Sequence, residues 1–181
     1  MIINARRGII TTYHICGDFM EIHNIEPIYD NRSKILILGS FPSVRSREQQ
    51  FYYAHAQNRF WRVISAVFEQ NAPNTIDEKR KFLLQNGVAL WDCIKCCDIN
   101  GSADSSIKNA QANDIGLILR SSDIKAVFTN GKTSYNIYNK LILPKTHVEA
   151  VCLPSTSPAN AAYSLERLTN EWRCAIERIL K

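Results

Sequence analysis

Short apolar runs alternate with longer segments of helical period from Lys34 onwards, and this alternation restricts the fold more than any other feature of the chain. The first run, residues 35–38, is apolar throughout, which is typical of a strand buried on both faces. Similar runs recur at residues 88–90, 126–129 and 148–153. Because parallel strands need crossover connections, usually helices, the pattern predicts an α/β fold. We expect a three-layer α/β/α sandwich around a central, mostly parallel sheet of about four strands.

Helices are predicted in the segments between these strands. Residues 60–68 carry a single apolar stripe, and residues 76–85 and 114–119 are also expected to be helical. The last helix has the clearest stripe, and Thr156 or Ser157 is expected to cap its start.

The chain shows no repeat, low-complexity tract or linker that would mark a domain boundary, so we expect a single domain over residues 21–181. Residues 1–20 lack helical or strand periodicity. They are expected to form a poorly ordered N-terminal extension, or to reflect a start codon placed upstream of Met20.

The composition is that of a folded, mildly basic protein. Among 181 residues, 45% are hydrophobic and the formal net charge is +5, which excludes a disordered or collagen-like chain. No apolar run reaches the roughly 20 residues that span a bilayer, and the N-terminus lacks a signal-peptide core. We therefore expect a cytoplasmic protein with no membrane partner, in which the six cysteines are reduced thiols.

Several polar segments directly follow the predicted strands and should share one edge of the sheet. Ligands of open parallel sheets bind beyond the carboxyl ends of the strands, so we expect the chemistry at this edge. The segments are Gly39–Ser43, Trp91–Asp92, Asn130–Gly131 and Pro154–Ser157.

The first of these segments continues into a stretch rich in basic and aromatic side chains. Between residues 40 and 62, arginines outnumber acidic residues, of which Glu48 is the only one. Basic side chains interleaved with aromatics suit a nucleic-acid backbone and unstacked bases. Solvated arginines beside core aromatics would look the same, so charge alone leaves both interpretations open.

A set of motifs makes the pattern more specific. In chain order they are Gly39–Ser43, Tyr52–His55 followed by Asn58–Trp61, Gly87–Asp92 and Leu153–Ala159. From about Pro27 to its end, the chain resembles the uracil-DNA glycosylase superfamily, and most closely its hypoxanthine-DNA glycosylase branch. The resemblance implies a monofunctional, monomeric DNA glycosylase that flips a deaminated base out of double-stranded DNA and hydrolyses it from the sugar, leaving an abasic site. Hypoxanthine is the expected first substrate, with uracil or xanthine as further ones.

Two positions separate the chain from uracil-removing relatives in that superfamily. Those relatives place Asp or Asn where this chain has Phe41, and His where it has Leu153; neither of these side chains can activate water. Ser43 and Ala56 stand where the superfamily usually has Gly and Pro. Two alternatives stay open: a glycosylase for uracil or mismatched thymine, and a non-catalytic nucleotide- or DNA-binding module of the same fold.

The resemblance and the chemistry of N-glycosidic hydrolysis assign roles to individual residues. Asn58 is expected to orient the attacking water, although an Asn directly before a helix is also a good N-cap. Backbone N–H groups of Ser40 and Phe41 are expected to donate to the base. Tyr53 is expected to stack on the base and Asp92 to accept N1–H of hypoxanthine. The full set of expected base-binding residues is Gly39, Ser40, Phe41, Tyr53, His55 and Asp92.

The DNA backbone is expected to contact serine and threonine hydroxyls and one arginine around the site. These residues are Ser43, Arg45, Ser46, Ser155, Thr156 and Ser157. For the last three, the N-terminus of the last helix would add a positive dipole end. No cofactor or metal is expected, because the cluster of Cys93, Cys96 and Cys97 lacks the further thiolates or histidines that an iron–sulfur cluster or zinc needs. No motif positions a lysine for a Schiff base, so we expect no strand cleavage.

Overall fold

A parallel sheet forms the centre of the molecule, which confirms the predicted α/β sandwich. The computed structural model describes residues 20–180, so the expected extension over residues 1–19 lies outside the described residues. The strands are β1 (Glu21–Ile22), β2 (Ile35–Gly39), β3 (Val88–Asp92), β4 (Ile94–Asp98), β5 (Lys108–Ala112), β6 (Ala126–Asn130) and β7 (Ala150–Leu153). The central sheet has the order β3-β2-β6-β7, and all neighbouring strands in it run parallel.

Helices connect the central strands as the crossover argument requires. They are α1 (Val44–Glu48), α2 (Phe60–Val67), α3 (Ile76–Gln85), α4 (Ile115–Ser121), α5 (Lys132–Leu141), α6 (Leu143–Thr146) and α7 (Leu165–Leu180), with a short 3-10 turn at Asp104–Ser106. The predicted helices over residues 60–68, 76–85 and 114–119 are confirmed within two residues at each end. No helix within residues 20–180 is long and apolar enough to cross a membrane.

Alternating side chains of β2 divide the interior into two hydrophobic clusters. Ile35 and Ile37 belong to the cluster that α2, α3 and α7 cover. Leu36 and Leu38 belong to the cluster that α4, α5 and α6 cover. Because successive strand residues point to opposite faces, an unbroken apolar run buries both faces of the sheet and gives three layers.

A second, antiparallel sheet with the order β1-β4-β5 was not predicted from the sequence. Its outer strand β5 is composed of Lys, Asn, Ala and Gln and is mostly exposed, so it has no apolar alternation to signal a strand. Strand β4 contains the buried Cys96 and Cys97. Cys96 is disulfide-bonded, so the expectation of reduced thiols is wrong for this residue.

The last helix begins at Leu165 and not near Thr156 or Ser157, which corrects the predicted cap. Ser164 caps the helix instead, because its hydroxyl accepts a hydrogen bond from the Arg167 amide at 3.1 Å. The preceding loop binds the guanidinium of Arg59 through its carbonyl oxygens. The carbonyls that accept from Arg59 are those of Thr156, Ser157, Asn160 and Tyr163. The Ser157 and Asn160 carbonyls also accept from the amides of Asn160 and Tyr163, three residues later, so Arg59 holds this segment in successive turns and not in an α-helix.

Candidate active site

A cavity of about 310 Å³ opens at the carboxyl ends of the central strands, where the sequence placed the chemistry. Gly39 ends β2, Asp92 ends β3 and Asn130 ends β6, and all three residues line it. The register of the sheet aligns Gly39 with Asp92 directly. The outer walls are formed by Ser102, Asp104, Ser155 and residues 157–159, together with the segment that precedes α2.

The cavity brings together the predicted site residues with two exceptions, Arg45 and Thr156. Those that line it are Gly39, Ser40, Phe41, Ser43, Ser46, Tyr53, His55, Asn58, Asp92, Ser155 and Ser157. All of these residues except Ser46 come from the four motifs that carry the resemblance. Their convergence follows from topology, because parallel strands present their carboxyl ends at a common edge.

Asp92 is a buried carboxyl with an unused acceptor. Only 4% of its surface is exposed, and Oδ2 has no hydrogen-bond partner among residues 20–180. Burial, and then the negative charge of Asp104, raise its pKa to about 7. A Cβ atom on Gly39 would lie 2.2 Å from Asp92 Oδ1, so only glycine leaves room for this carboxyl.

Tyr53 lies beside Asp92 in an uncommon backbone conformation. Its φ angle is 50°, in the left-handed region that large side chains seldom adopt, and such strain clusters at functional sites. The ring stacks on Phe60 with centroids 4.0 Å apart, which occupies one ring face. The buried phenol oxygen has no hydrogen-bond partner in the described chain, and burial followed by the charge of Asp92 raises its pKa.

The side chain of Asn58 belongs to a chain of hydrogen bonds with a fixed direction. The amide of Thr156 donates to Asn130 Oδ1 at 2.9 Å, so Asn130 Nδ2 must be the donor to Thr156 Oγ1 at 2.9 Å. That hydroxyl then donates to Asn58 Oδ1 at 3.0 Å. The Phe60 amide donates to the same oxygen at 2.9 Å. Since backbone N–H groups can only donate, they determine which way both amides point.

This network changes the role expected of Asn58. Both lone pairs of Oδ1 accept hydrogen bonds, one of them from the start of α2, as the helix-capping alternative predicts. Nδ2 donates to no residue within 20–180, and Asn58 lines the cavity. Asn58 can therefore hold a water by donating to its oxygen, but its own oxygen is not free to accept a proton from that water.

Donors for a bound base are present at the end of β2. The backbone N–H groups of Ser40 and Phe41 donate no hydrogen bond to any part of the chain that the structure describes. Phe41 itself is buried, packed edge-on against His23 with centroids 5.4 Å apart. His55 is exposed at the mouth, where its Nδ1 accepts from the Gln57 amide at 3.2 Å.

Sequence reasoning missed Asp104 and gave Asn130 no role. Asp104 lies in the 3-10 turn between β4 and β5, in a stretch predicted only as a loop, and it lines the cavity. The Ser40 hydroxyl donates to its carboxylate at 2.9 and 3.0 Å. Desolvation by the surrounding walls raises the pKa of Asp104, and the Ser40 hydrogen bond opposes that rise. Asn130 carried a signal, since it ends a predicted strand, whereas nothing in the sequence singles out Asp104.

The residues expected to contact the DNA backbone differ in their exposure. Thr156 is fully buried and Ser46 is 3% exposed, so neither presents its hydroxyl to a phosphate, which corrects these two predictions. The Ser46 hydroxyl instead accepts from the Ala54 amide at 3.3 Å. Since α7 begins only at Leu165, no helix dipole adds to Ser155 and Ser157.

The remaining backbone candidates are placed at the surface around the cavity. Ser43 caps α1 by accepting from the Ser46 amide at 3.2 Å. Arg45 is exposed and pairs with Glu48 at 3.0 Å, an ion pair that solvent screens and that a phosphate can replace. The side chains of Ser155 and Ser157 accept from nearby amides, which leaves each hydroxyl proton available as a donor.

No group of His, Cys, Asp and Glu within residues 20–180 is arranged to hold a metal ion. Cys93 is a buried free thiol, and burial raises its pKa well above the ordinary value. Cys97 is likewise free, with a pKa of about 11 that results mainly from burial. Neither thiol is therefore poised as a thiolate ligand or nucleophile.

Comparisons with known proteins agree with this geometry. Residues 26–181 match the family model of the Uracil DNA glycosylase superfamily. A protein named hypoxanthine DNA glycosylase from Methanosarcina acetivorans is 35% identical over 147 residues, which is 80% of this chain and 91% of the relative. Its namesake from Methanosarcina barkeri is 30% identical over 161 residues, 88% of this chain and 100% of the relative.

A solved structure shares the architecture. It is a solution NMR structure of a Methanosarcina acetivorans protein described as a candidate uracil DNA glycosylase. The TM-score is 0.75 and the identity 29%, over 90% of this chain and 99% of that chain.

Proposed function

The chain belongs to the uracil DNA glycosylase superfamily and is a DNA glycosylase, and we propose that it hydrolyses hypoxanthine from double-stranded DNA and leaves an abasic site. The relatives from two Methanosarcina species that carry the name hypoxanthine DNA glycosylase support this substrate. A base inside a duplex is out of reach, so the nucleotide is extruded and its base enters the cavity.

The observation that carries the proposal is the unpartnered oxygen of Asp92. Leaving a buried carboxyl oxygen without a partner costs of order 1–3 kcal/mol or more. Proteins keep such groups at functional sites, where a ligand supplies the missing partner. Here Asp92, whose Oδ2 has no partner, lines the cavity together with Tyr53, Ser40 and Phe41.

In its protonated form, the Asp92 carboxyl offers a donor and an acceptor that are complementary to one edge of a deaminated base. With a pKa of about 7, the carboxyl carries its proton in a large share of molecules at neutral pH. A protonated carboxyl offers one O–H donor and one C=O acceptor side by side. Hypoxanthine presents the complementary pair, the N1–H donor and the O6 acceptor. Xanthine and uracil carry the same lactam group, so both belong in the test.

Bond cleavage needs stabilisation of charge on both fragments. When the bond from C1′ to the base nitrogen breaks, its electron pair leaves with the base and positive charge develops on the sugar. Backbone donors aimed at the base stabilise its negative charge in a dry cavity. The amides of Ser40 and Phe41 supply such donors, and Asn58 Nδ2 holds the water near C1′. We expect base release without strand cleavage, a monomeric enzyme and a cytoplasmic location; these stay predictions.

The experiment uses excess protein and duplexes that each hold one hypoxanthine, xanthine or uracil, followed by alkali to convert abasic sites into breaks. We expect breaks at hypoxanthine in the wild type. Asn58→Ala should slow them by on the order of 100-fold, because it removes the donor to water and loosens the start of α2. Asn71→Ala changes an exposed asparagine of the same type and should leave the rate unchanged.

Because Asn58→Ala also removes the acceptor of the Phe60 amide, a hydrogen bond worth about 1 kcal/mol, thermal melts of both variants accompany the assay. A folded Asn58→Ala protein that cleaves at the wild-type rate would remove Asn58 from the mechanism. Breaks at uracil alone would replace the proposed substrate. Tight binding with no breaks on any duplex would identify a non-catalytic DNA-binding module.

A further inference from the structure

The hydrogen bonds of Asn58 leave the attacking water without an acceptor for its proton. Oδ1 of Asn58 accepts from Phe60 and Thr156, and its free Nδ2 can only donate. Phe41 and Leu153 stand where the uracil-removing relatives have Asp or Asn and His, and neither side chain can accept a proton. An anionic group that faces the sugar would both accept the proton and stabilise the positive charge at C1′.

We propose that Asp104 is this anionic group, a catalytic carboxylate that faces the deoxyribose of the extruded nucleotide and that the Ser40 hydroxyl holds in place. The inference rests on the proposed glycosylase function and adds a residue to its mechanism.

Asp104 lies where the cavity meets a second groove on the same face. Besides the cavity, a wider open groove runs over the same face, past Lys132 and Tyr163. Asp104 belongs to the short boundary that the cavity and the groove share, with Ser102, Ser155, Ser157 and Ala159. If the cavity takes the base and the groove takes the DNA backbone, the sugar that joins them must cross this boundary. The carboxylate is thus next to the only part of the substrate that becomes positively charged.

The Asp104 carboxylate is held by the Ser40 hydroxyl. The single hydroxyl proton of Ser40 is shared between both carboxylate oxygens, at 2.9 and 3.0 Å, so acceptor sites on each oxygen stay open. The loop that carries Asp104 is itself fixed. Ser102 accepts from the Val44 amide at 3.0 Å, and Ser106 bonds the Asn100 amide at 2.9 Å and the Ala103 carbonyl at 2.7 Å. A carboxylate on a fixed loop is pre-positioned for charge stabilisation.

Asp104 and Asp92 differ in their exposure to solvent. Asp104 is exposed at the mouth, and the Ser40 hydroxyl donates to its carboxylate, which opposes the rise that desolvation causes in its pKa. Asp92 lies deep in the cavity and is nearly inaccessible to solvent. Two carboxyls in unlike surroundings divide acid and base roles in other hydrolases of glycosidic bonds. With the roles divided in this way, the Asp104 carboxylate faces the sugar and the attacking water, and the Asp92 carboxyl faces the base.

Hydrolysis transfers the base from C1′ to solvent and a water oxygen to C1′. The oxygen of water forms a bond to C1′ while the bond from C1′ to the base nitrogen breaks, and that electron pair leaves with the base. The water proton passes to the Asp104 carboxylate. The base takes one proton from Asp92 or from solvent, and exchange with solvent returns both carboxyls to their starting states. The products are the abasic sugar, with a hydroxyl at C1′, and the free base.

The test measures affinity for two abasic-site analogues in otherwise identical duplexes: a pyrrolidine, which is cationic like the charged sugar, and a neutral tetrahydrofuran. We expect the wild type to bind the pyrrolidine duplex at least roughly 10-fold more tightly. Asp104→Asn should abolish this preference while it keeps or slightly improves affinity for tetrahydrofuran, because it removes a charge that repels phosphates. Asp123→Asn removes an exposed carboxylate outside the site and should keep the preference.

Base release provides the second readout. Asp104→Asn should slow single-turnover release by on the order of 100-fold, in the range typical of lost general-base catalysis. Ser40→Ala, which frees the carboxylate without removing it, should slow release less. If Asp104→Asn keeps both the analogue preference and the wild-type rate, the inference is wrong. If the wild type releases no base but the preference depends on Asp104, the proposed function and the catalytic role of Asp104 both fail, and only its position facing the sugar stands.

Discussion

Replacing Asp92 with Asn should stabilise the protein at alkaline pH while it impairs base binding. In the unfolded chain this carboxyl titrates near its ordinary pKa of 3.8, whereas in the folded protein its pKa is about 7. Between those values the folded state binds the proton more tightly than the unfolded state. Stability therefore falls as the pH rises through this window, and the whole cost is present above it. The charge of Asp104 acts in the same direction.

The size of the effect follows from linkage. A difference of about three pH units, at about 1.4 kcal/mol each, makes ionised Asp92 cost about 4 kcal/mol above pH 7. About 1 kcal/mol of that cost is already present at about pH 4.5. Asn cannot ionise, so the stability difference between Asp92→Asn and wild type should become roughly 3 kcal/mol more favourable from about pH 4.5 to about pH 8. If the new asparagine side chain lacks a hydrogen-bond partner, the resulting loss of stability is the same at both pH values and cancels in this comparison.

Urea unfolding of both proteins at the two pH values measures this difference, with Asp123→Asn as the matched control for an exposed carboxylate. The control should show no pH-dependent gain. An Asp92→Asn variant with the same stability change at both pH values would refute the view that the fold keeps Asp92 partly protonated. Slower hypoxanthine release by the stabilised Asp92→Asn variant would show that Asp92 lowers the stability of the fold but is needed for function.

Two further predictions concern Arg59 and Arg45, which lie outside the lining of the cavity. Arg59→Lys should cost about 1–3 kcal/mol and speed amide hydrogen exchange in residues 157–163, because one ammonium cannot serve the carbonyls that the guanidinium bridges; unchanged exchange would contradict its role in ordering this loop. Arg45→Ala should lower the salt dependence of duplex binding by about one unit with little effect on stability, since its pair with Glu48 is exposed. An unchanged slope would remove Arg45 from the backbone contacts.

Much of the fold was predictable because local pattern and burial agree along the central strands. The run at residues 35–38 is apolar at every position and becomes the strand that both clusters bury. Strand β5 escaped prediction because a polar, exposed edge strand is stabilised by backbone pairing with β4, which no side-chain period encodes. The start of α7 was misplaced for a related reason. The carbonyls that would continue that helix upstream are bound by Arg59, a residue nearly a hundred positions away.

The α/β class, the edge of the sheet that carries the site, and most of the residues that line it follow from the pattern of amino acids along the chain. Which polar atoms of those residues are free depends on how the chain packs in three dimensions. The Thr156 hydroxyl saturates Asn58 Oδ1 across a separation of 98 positions, and the Ser40 hydroxyl holds Asp104 across 64. Hydrogen-bond capacity is set by distance and angle in space, and a donor can occupy an acceptor from any distance along the chain. Motifs therefore identify the groups at a site, and packing determines which of them can act.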